Sequence, residues 1–564
     1  MIEIRKNNEI SASVKKQQSK FHYPVKRQHI IRIMLGVIVL AALLLRVVNL
    51  GTNPPAISWD EASIGYNAYS ILTTGRDEHG RFLPLDTFAA FGDYKPPVPV
   101  YLTVPFIALF GLTEAAVRLP SALSGTLTVL VLYFLVSELF KKSKHAREIA
   151  LTASALLTIT PWHIMLSRAG FEANIALFFL VLGIWLVLRA REHSAVFYVS
   201  WLPFVLGIYT FNSTRYAGPL IAAACFLFVW RTALRSGKQF VLGVVIAAAA
   251  LLPIVPHLVS PQARLRFEEV SIFTDLRTVL TSNTRRQVDN FSKVSAVLHN
   301  RRMGYAREYL IHFFDNLEPR FLFIKGDGNP KFSIQDTGQL LLVSAPFIVY
   351  GLLTLFRDYP GIAFLLVWWL LASIAPTAVA RETPHALRIE NGLPVYIILT
   401  SYGLVMSIMN VKRLQVRWFM GALCIALFAG NFLYFWHNFV NHYPKEYSGE
   451  WQYGYKQAIE LAKAHKNEYD TIVLTESIGR PYIYALFYEK YPLSKFEASK
   501  DASFDAAGFY NVYGFDKYRF TREGVGAYTG KTLYILAPKD VPAGVHIVET
   551  IRVLNGTPVL VAFE

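Results

Sequence analysis

Apolar runs dominate the first 436 residues, and the polar breaks between most of them are short. Runs that span a bilayer as helices, or nearly so, fall at about 30–50, 119–139, 148–165, 172–189, 196–210, 217–230, 239–258, 337–356, 361–379, 391–408 and 415–436, because roughly 20 apolar residues cross the hydrocarbon core. Those at 196–210 and 217–230 are short and read as tilted or locally thinned spans. One further run, VPVYLTVPFIALFG at 98–111, has 14 residues and internal prolines. Charge decides its place. The basic loops KKSKHAR (141–147), LRAREH (188–193), RTALRSGK (231–238) and MNVKRLQVR (409–417) fall on the same side as the basic N-terminus only if 98–111 does not cross. It therefore reads as a juxtamembrane helix docked on the outer face.

The predicted architecture is a polytopic α-helical membrane protein of about 11 transmembrane helices with a C-terminal extracytoplasmic α/β domain. Residues 1–29 form a basic cytoplasmic tail, and residues 30–436 form the transmembrane domain with outer loops 51–118 and 259–335. Within the second loop, helical periodicity over about 285–315 predicts one or two amphipathic helices, followed by turns at NLEP and KGDGNP. From about 438 the pattern changes: EWQYGYKQAIELAKAHKNEYDTIVLTES predicts helix then strand, and KTLYILAPKD and HIVETIRVLNGTPVLVAFE predict later strands. This soluble unit, 437–564, has no glycine-rich phosphate loop and no Ser/His/acid arrangement. It reads as a structural or substrate-positioning cap.

Composition agrees with a membrane protein. The 564 residues are 53% hydrophobic and only 17% charged, against about 25% charged in soluble domains. The net charge of +16 does not imply nucleic acid, because the basic residues sit mainly in loops between apolar runs. Residues 1–32 carry eight Lys or Arg against two acids, and the first apolar run lacks a small-residue cleavage site. It is expected to be a retained span rather than a signal peptide. Cys225 and Cys424 both lie in apolar runs and imply no thiol chemistry or disulfide framework.

Chemistry is expected where titratable groups concentrate between spans. The stretch 58–97 carries Asp60, Glu61, Asp77, Glu78, His79, Asp93 and Lys95. Glu172 falls in an outer turn of the same side, SRAGFEAN. Two such loops could hold a divalent metal between Asp60 and Glu172, or divide into a base and an orienter. Glu61 also reads as a cap for the helix that begins beside it. Lys95, stiffened by Pro96 and Pro97, shares the outer face with Arg168, Arg215, Arg381 and Arg388. Cations at the bilayer surface suit a phosphate, Arg through forked contacts and Lys as a point charge. Tyr66, His79 and His385 are candidates to contact substrate.

The elements WDEASIGYNAY, GRDEHGR, YKPPVPVYL and FGLTEAAVRLPSALSG together resemble the start of the protein O-mannosyltransferase and lipid A aminoarabinose transferase superfamily, GT-C glycosyltransferases that use polyprenyl-phosphate sugars. LEPRFLFIKGDGNPKFS resembles the end of the large outer loop in bacterial members of that superfamily. The resemblance runs over about 30–400 and implies Asp60 as the catalytic carboxylate with Glu61 its neighbour. It implies Lys95 at the donor phosphate, and Glu172 where aminoarabinose transferases have an aspartate near a metal. The implied reaction is inverting displacement, with Arg388 or Arg168 assisting Lys95. The donor is a polyprenyl-phosphate sugar. The acceptor is a glycan, lipid or protein, and the setting is the bacterial cytoplasmic membrane, with the chain a monomer or small oligomer. A transporter and a non-catalytic envelope-assembly scaffold are the rival readings; the first would place its charges near the bilayer midplane.

Overall fold

The computed structural model describes residues 25–505, 509–522, 524–526 and 528–564; residues 1–24 of the expected basic tail lie outside them. The chain opens with α1 (Val25–Val47), a long apolar helix whose surface is mostly exposed. The first loop then folds into α2 (Trp59–Thr74), the short strands β1 (Phe88–Ala90) and β2 (Asp93–Lys95), and α3 (Pro97–Phe110). Helices α4 (Glu114–Leu139), α5 (Ala146–Ile159), α6 (Pro161–Arg168) and α7 (Glu172–Arg189) follow. Among the described residues, eight helices are long and apolar enough to cross a membrane. They become nine if α5 and α6, bent by 57° at Thr160, count as one broken span.

Nine of the eleven expected spans are thus present at spanning length. The other two are shorter than the hydropathy pattern suggests. Residues 194–208 form a 3₁₀ segment and a brief α-helix, and Ala345–Asp358 has only 14 residues. A 14-residue helix extends about 21 Å, short of the roughly 30 Å core. The 98–111 run is a 14-residue helix, α3, as expected for a segment that does not cross.

The second outer loop contains Pro261–Val270, Leu276–Val288, Lys293–Leu298 and Arg301–Asp315 as helices. The C-terminal region builds a seven-stranded mixed sheet. Its strands are β3 (Thr471–Thr475), β4 (Asp501–Phe504), β5 (Tyr510–Phe515), β6 (Tyr518–Thr521), β7 (Thr532–Leu536), β8 (Ile547–Arg552) and β9 (Pro558–Phe563), in the order β4-β5-β6-β3-β7-β9-β8. Central β3 pairs parallel with β6 and β7, while the outer pairs are antiparallel. Buried residues of β3 are continuous, Ile472 to Thr475, as for a strand covered on both faces.

Two hydrophobic cores matter. One fills the helix bundle; the other joins the first loop to the sheet domain through Ile64, Phe88, Val117, Tyr484, Phe487 and their neighbours. Buried hydroxyls fasten the seam. Tyr66 Oη donates to the Tyr491 carbonyl at 2.9 Å and Tyr484 Oη to that of Ile57 at 3.0 Å. The second loop reaches the same domain, with Tyr443 Oη donating to the Pro330 carbonyl at 2.7 Å. Residues of both outer loops and the C-terminal domain therefore lie on one side of the bundle.

Candidate active site

Helix α2 starts with a capping box. The Ser58 hydroxyl accepts from the Glu61 amide at 3.3 Å, and the Glu61 carboxylate accepts from the Ser58 amide at 2.9 Å. This fixes Asp60 in the first turn, where its side chain is 39% exposed. Strands β1 and β2 form a hairpin with Ala90 opposite Asp93, and its two turn residues, Phe91 and Gly92, both have positive φ. That is the geometry of tight hairpins whose twist matches their strands. Pro96 and Pro97 then start α3 directly after Lys95. Lys95 is thus held between a hairpin and a helix start.

The three expected residues converge. Lys95 Nζ lies 2.8 Å from Asp60 Oδ1 and 3.6 Å from Glu172 Oε1, with Asp93 Oδ2 at 3.5 Å as a third carboxylate. The lysine is 11% exposed. Burial alone would lower its pKa, but the Asp60, Glu172 and Asp93 carboxylates outweigh burial and raise it. Its stabilising charge is present below its ordinary titration range and is lost only in strong alkali. One cation faces three carboxylates, so the cluster as built has an excess of negative charge. The position expected for a divalent ion between Asp60 and Glu172 is taken by the Lys95 ammonium. Among the described residues no group of three or more His, Cys, Asp or Glu side chains is arranged to hold a metal. The donor set does not fit a resident metal, and no step below uses one.

Glu61 does not face this cluster. Its carboxylate is fully buried against Arg118 Nε at 2.8 Å and also accepts from the Gly170 amide at 2.9 Å. Burial would raise its pKa, but the Arg118 guanidinium and the Ser58 and Gly170 amides hold it below the usual range. Arg118 also donates to the carbonyls of Leu50, Pro54 and Ala56. The Glu61 carboxylate is thus bound to Arg118, Ser58 and Gly170 and not to the Lys95 cluster. By gripping Gly170 it ties the loop of Glu172 to the helix of Asp60.

Arg168 is likewise committed elsewhere. Its guanidinium donates to the carbonyls of Leu45, Val48, Asn49 and Asn53 at 2.7–3.3 Å and packs over the Phe439 ring. These carbonyls lie at the C-terminal end of α1 and in the turn that follows, where helix carbonyls run out of intrahelical partners. The outer-turn position suggested a phosphate ligand; the structure makes it a helix clamp. Arg168→Lys should cost about 2–3 kcal/mol through lost charge-assisted bonds. Thermal unfolding should show this drop.

The remaining candidates spread out. Tyr66 serves the seam with the C-terminal domain. His79 contacts the Ala89 carbonyl and Glu78 and packs edge-on against Tyr510, 4.7 Å between ring centres. Burial opposes its protonation, but Glu78 and Asp77 win and raise its pKa. His385 lies against the Phe332 ring at 5.1 Å. Arg388 pairs with Glu382 while its carbonyl accepts from Ser213 Oγ.

Three further residues belong in the picture. Asp93 completes the carboxylate shell of Lys95. Arg215, at the head of the Thr214–Arg235 helix, keeps Nε and Nη2 buried with no hydrogen-bond partner among the described residues and lies in the field of Asp93. Lys331 has its ammonium 4.6 Å above the Trp59 ring and 6.0 Å from that of Trp451, and donates to Gln452 Oε1 at 3.3 Å. Burial lowers its pKa; Asp60 and Glu61 in its field oppose the fall. Beside Trp59, a cleft of about 610 Å³ opens between the start of α2 and the turns 449–452 and 476–480 of the C-terminal domain. It is lined by Glu450, Glu476, Arg480 and Arg522 among others.

Comparisons with known proteins bear on the fold and on part of the sequence. Residues 94–259, which include Lys95 and Glu172, match the family described as dolichyl-phosphate-mannose-protein mannosyltransferase. The Bacillus subtilis protein YkcB, provisionally named a mannosyltransferase, is 26% identical over 228 residues, 40% of this chain and 30% of that protein. The match thus spans less than a third of that relative. The crystal structure of ArnT from Cupriavidus metallidurans bound to undecaprenyl phosphate superposes with a TM-score of 0.51 and 13% identity, covering 93% of this chain and 97% of ArnT. The oligosaccharyltransferase AglB from Archaeoglobus fulgidus, in complex with an inhibitory peptide and a dolichol-phosphate, gives 0.50 and 13%, covering 82% of this chain and 64% of AglB. In fold this chain resembles ArnT and AglB, and its segment 94–259 matches the model of the dolichyl-phosphate-mannose-protein mannosyltransferase family.

Proposed function

We propose that the protein moves a sugar from a polyprenyl-phosphate donor to an acceptor on the extracytoplasmic face of a bacterial cytoplasmic membrane, with inversion at the anomeric carbon. The observation that carries this reading is the convergence of Asp60, Lys95 and Glu172 from three separate outer elements. Undecaprenyl phosphate in the similarly folded ArnT supports the donor class. Lys141 pairs with Glu192 and Arg189 with Glu138, so the basic loops 141–147 and 188–193 meet at one end of the bundle, which supports the orientation.

Asp60, the most exposed carboxylate around Lys95, accepts the proton of the acceptor hydroxyl as its oxygen attacks the anomeric carbon. The bond from that carbon to the phosphate oxygen breaks, and the polyprenyl phosphate leaves with the electron pair. Lys95 stabilises the departing charge. Asp93 and Glu172 keep the ammonium in place when it turns from Asp60 toward phosphate. The negative excess of the cluster calls for further cations at the phosphate; Arg215, whose Nε and Nη2 have no hydrogen-bond partner among the described residues, and Arg388 supply them. The cleft at Trp59 gives the acceptor a route to Asp60, bounded by the C-terminal domain. A transporter is disfavoured because these charges sit at helix starts, residues 60, 95 and 172, rather than in mid-span.

The test is transfer from a panel of labelled polyprenyl-phosphate sugars to membrane extract by purified protein. Asp60→Asn should lower turnover by about 10²–10⁴ while yield and thermal midpoint stay near wild type, since Asp93 and Glu172 still pair with Lys95. Turnover of Asp60→Asn near the wild-type rate would remove Asp60 as the base, whereas no transfer by wild-type protein from any donor of the panel would favour a scaffold.

A further inference from the structure

The second outer loop carries a surface that nothing in the protein covers. Along residues 276–315 the helices Leu276–Val288, Lys293–Leu298 and Arg301–Asp315 leave Leu280, Phe291, Val294, Val297, Leu310 and Phe314 exposed, each by more than half. Patches of this extent are unusual on water-facing surfaces. They are not loose ends. The first and third helices are joined by Thr278 Oγ1 donating to Glu308 Oε1 at 2.5 Å, and Ser282 bonds the His299 carbonyl. The third is anchored on the bundle, where Tyr309 Oη donates to the Ala375 carbonyl at 3.1 Å, inside the candidate span Pro360–Val379. The exposed apolar side chains are thus continuous with a surface that faces lipid.

Charge says which lipid. The same 40 residues hold seven Lys or Arg (277, 285, 286, 293, 301, 302, 307) and three acids (289, 308, 315). Arg285, Lys293, Arg301 and Arg302 are exposed and form no ion pair among the described residues. Apolar side chains beside unpaired cations are the signature of a helix lying in the plane of an anionic headgroup layer. An apolar groove of about 500 Å³, lined by Met303, Ala306, Leu310, Ile311 and Phe314 together with Arg307 and Asp315, has room for part of an acyl chain.

We propose that residues 276–315 form an in-plane membrane platform that lies in the headgroup layer and binds anionic phospholipid. This assignment does not depend on the transfer reaction. The platform fixes the depth at which the outer loops, and with them the Lys95 cluster, meet the bilayer surface.

The test uses the full-length protein in a Cys424→Ala background, leaving buried Cys225. Nitroxide labels at Val294→Cys and Phe314→Cys are compared with one at Leu227→Cys, on an exposed face of a candidate span, and one at Lys539→Cys, on the exposed sheet domain. Protein is reconstituted in vesicles of phosphatidylcholine alone or with 30% phosphatidylglycerol, roughly the anionic content needed to engage basic helices. The platform labels should be more accessible to oxygen than to a water-soluble nickel complex, like Leu227→Cys, and should sit deeper with phosphatidylglycerol. Replacing Arg285, Arg286, Arg301 and Arg302 together by Gln should abolish that lipid dependence while the Leu227→Cys depth is unchanged. Labels as water-accessible as Lys539→Cys, or depths equal in the two lipids, would overturn the proposal. Spin–spin broadening at Val294→Cys that vanishes on dilution with unlabelled protein would overturn it in favour of a second copy of the chain.

Discussion

Lys95→Met should both abolish sugar transfer and lower stability by about 2–4 kcal/mol, a cost set by leaving buried charge without its counter-ion. The ammonium lies within 4 Å of carboxylate oxygens of Asp60, Asp93 and Glu172. Without it three carboxylates face one another across a few ångströms. The exposure of Asp60 softens the penalty, because water screens that contact. The double variant Lys95→Met/Asp60→Asn removes one negative charge along with the positive one and should recover part of the lost stability. It should recover none of the activity. Non-additive unfolding midpoints for the two single variants and the double would register the coupling. The deficit of Lys95→Met should shrink in acid, where uncompensated carboxylates take up protons. Additive midpoints would mean that Lys95 and Asp60 act independently. Donor binding separates the two consequences: undecaprenyl phosphate affinity should fall in Lys95→Met but hold in Asp60→Asn, because only the first removes the proposed phosphate ligand.

Much of this arrangement is legible in the linear sequence, and the exceptions have physical causes. Hydropathy runs locate the helices because lipid demands continuous apolar surface. Basic-loop asymmetry predicts that α3 does not cross, and its 14 residues are short for a span. The meeting of Asp60, Lys95 and Glu172 is visible because all three stand beside span or helix starts on one face. Asp93 was equally close at hand, two residues before Lys95, but only the hairpin register shows that both side chains reach one point. Arg168 misleads for a different reason. A cation in an outer turn reads as a phosphate ligand, yet its partners are backbone carbonyls more than a hundred residues away, which no side-chain pattern encodes. Lys331 is hidden in the same way, since two indole rings and an amide, not a carboxylate, hold it. In the C-terminal unit the apolar strands β3, β7 and β9 stand out from the chain. The turn-rich stretch around β4 to β6 does not, because those strands lie at one side of the sheet and alternate buried with exposed positions.

Glu61→Gln and Asp60→Asn, neighbours in sequence, should fail in opposite ways. Asp60→Asn is expected to lose turnover and keep its fold. Glu61→Gln is expected to keep measurable turnover with an unchanged donor KM and to lose stability, because the pair it breaks is wholly buried: Glu61 and Arg118 side chains are both 0% exposed. The amide still accepts from Ser58 or Gly170, but Arg118 loses its counter-charge and keeps only carbonyl partners. The reverse change is more severe. Arg118→Leu strands a carboxylate in a dry pocket and frees three carbonyls, and should cost about 3–5 kcal/mol. The pH dependence carries a definite sign. The folded-state pKa of Glu61 is depressed, so its contribution is present above its unfolded value and is lost as pH falls through the folded one. Wild type should therefore lose its advantage over Glu61→Gln on acidification below about pH 4, the unfolded carboxylate range, with the two unfolding curves converging there. Loss of turnover in Glu61→Gln with full stability would instead put Glu61 in the chemistry. The pairing of Glu61 with Gly170 also predicts where residual damage goes. Loosening it releases the Glu172 loop from α2, so the surviving activity should fall in kcat, as reacting groups lose alignment, while donor affinity through Lys95 persists.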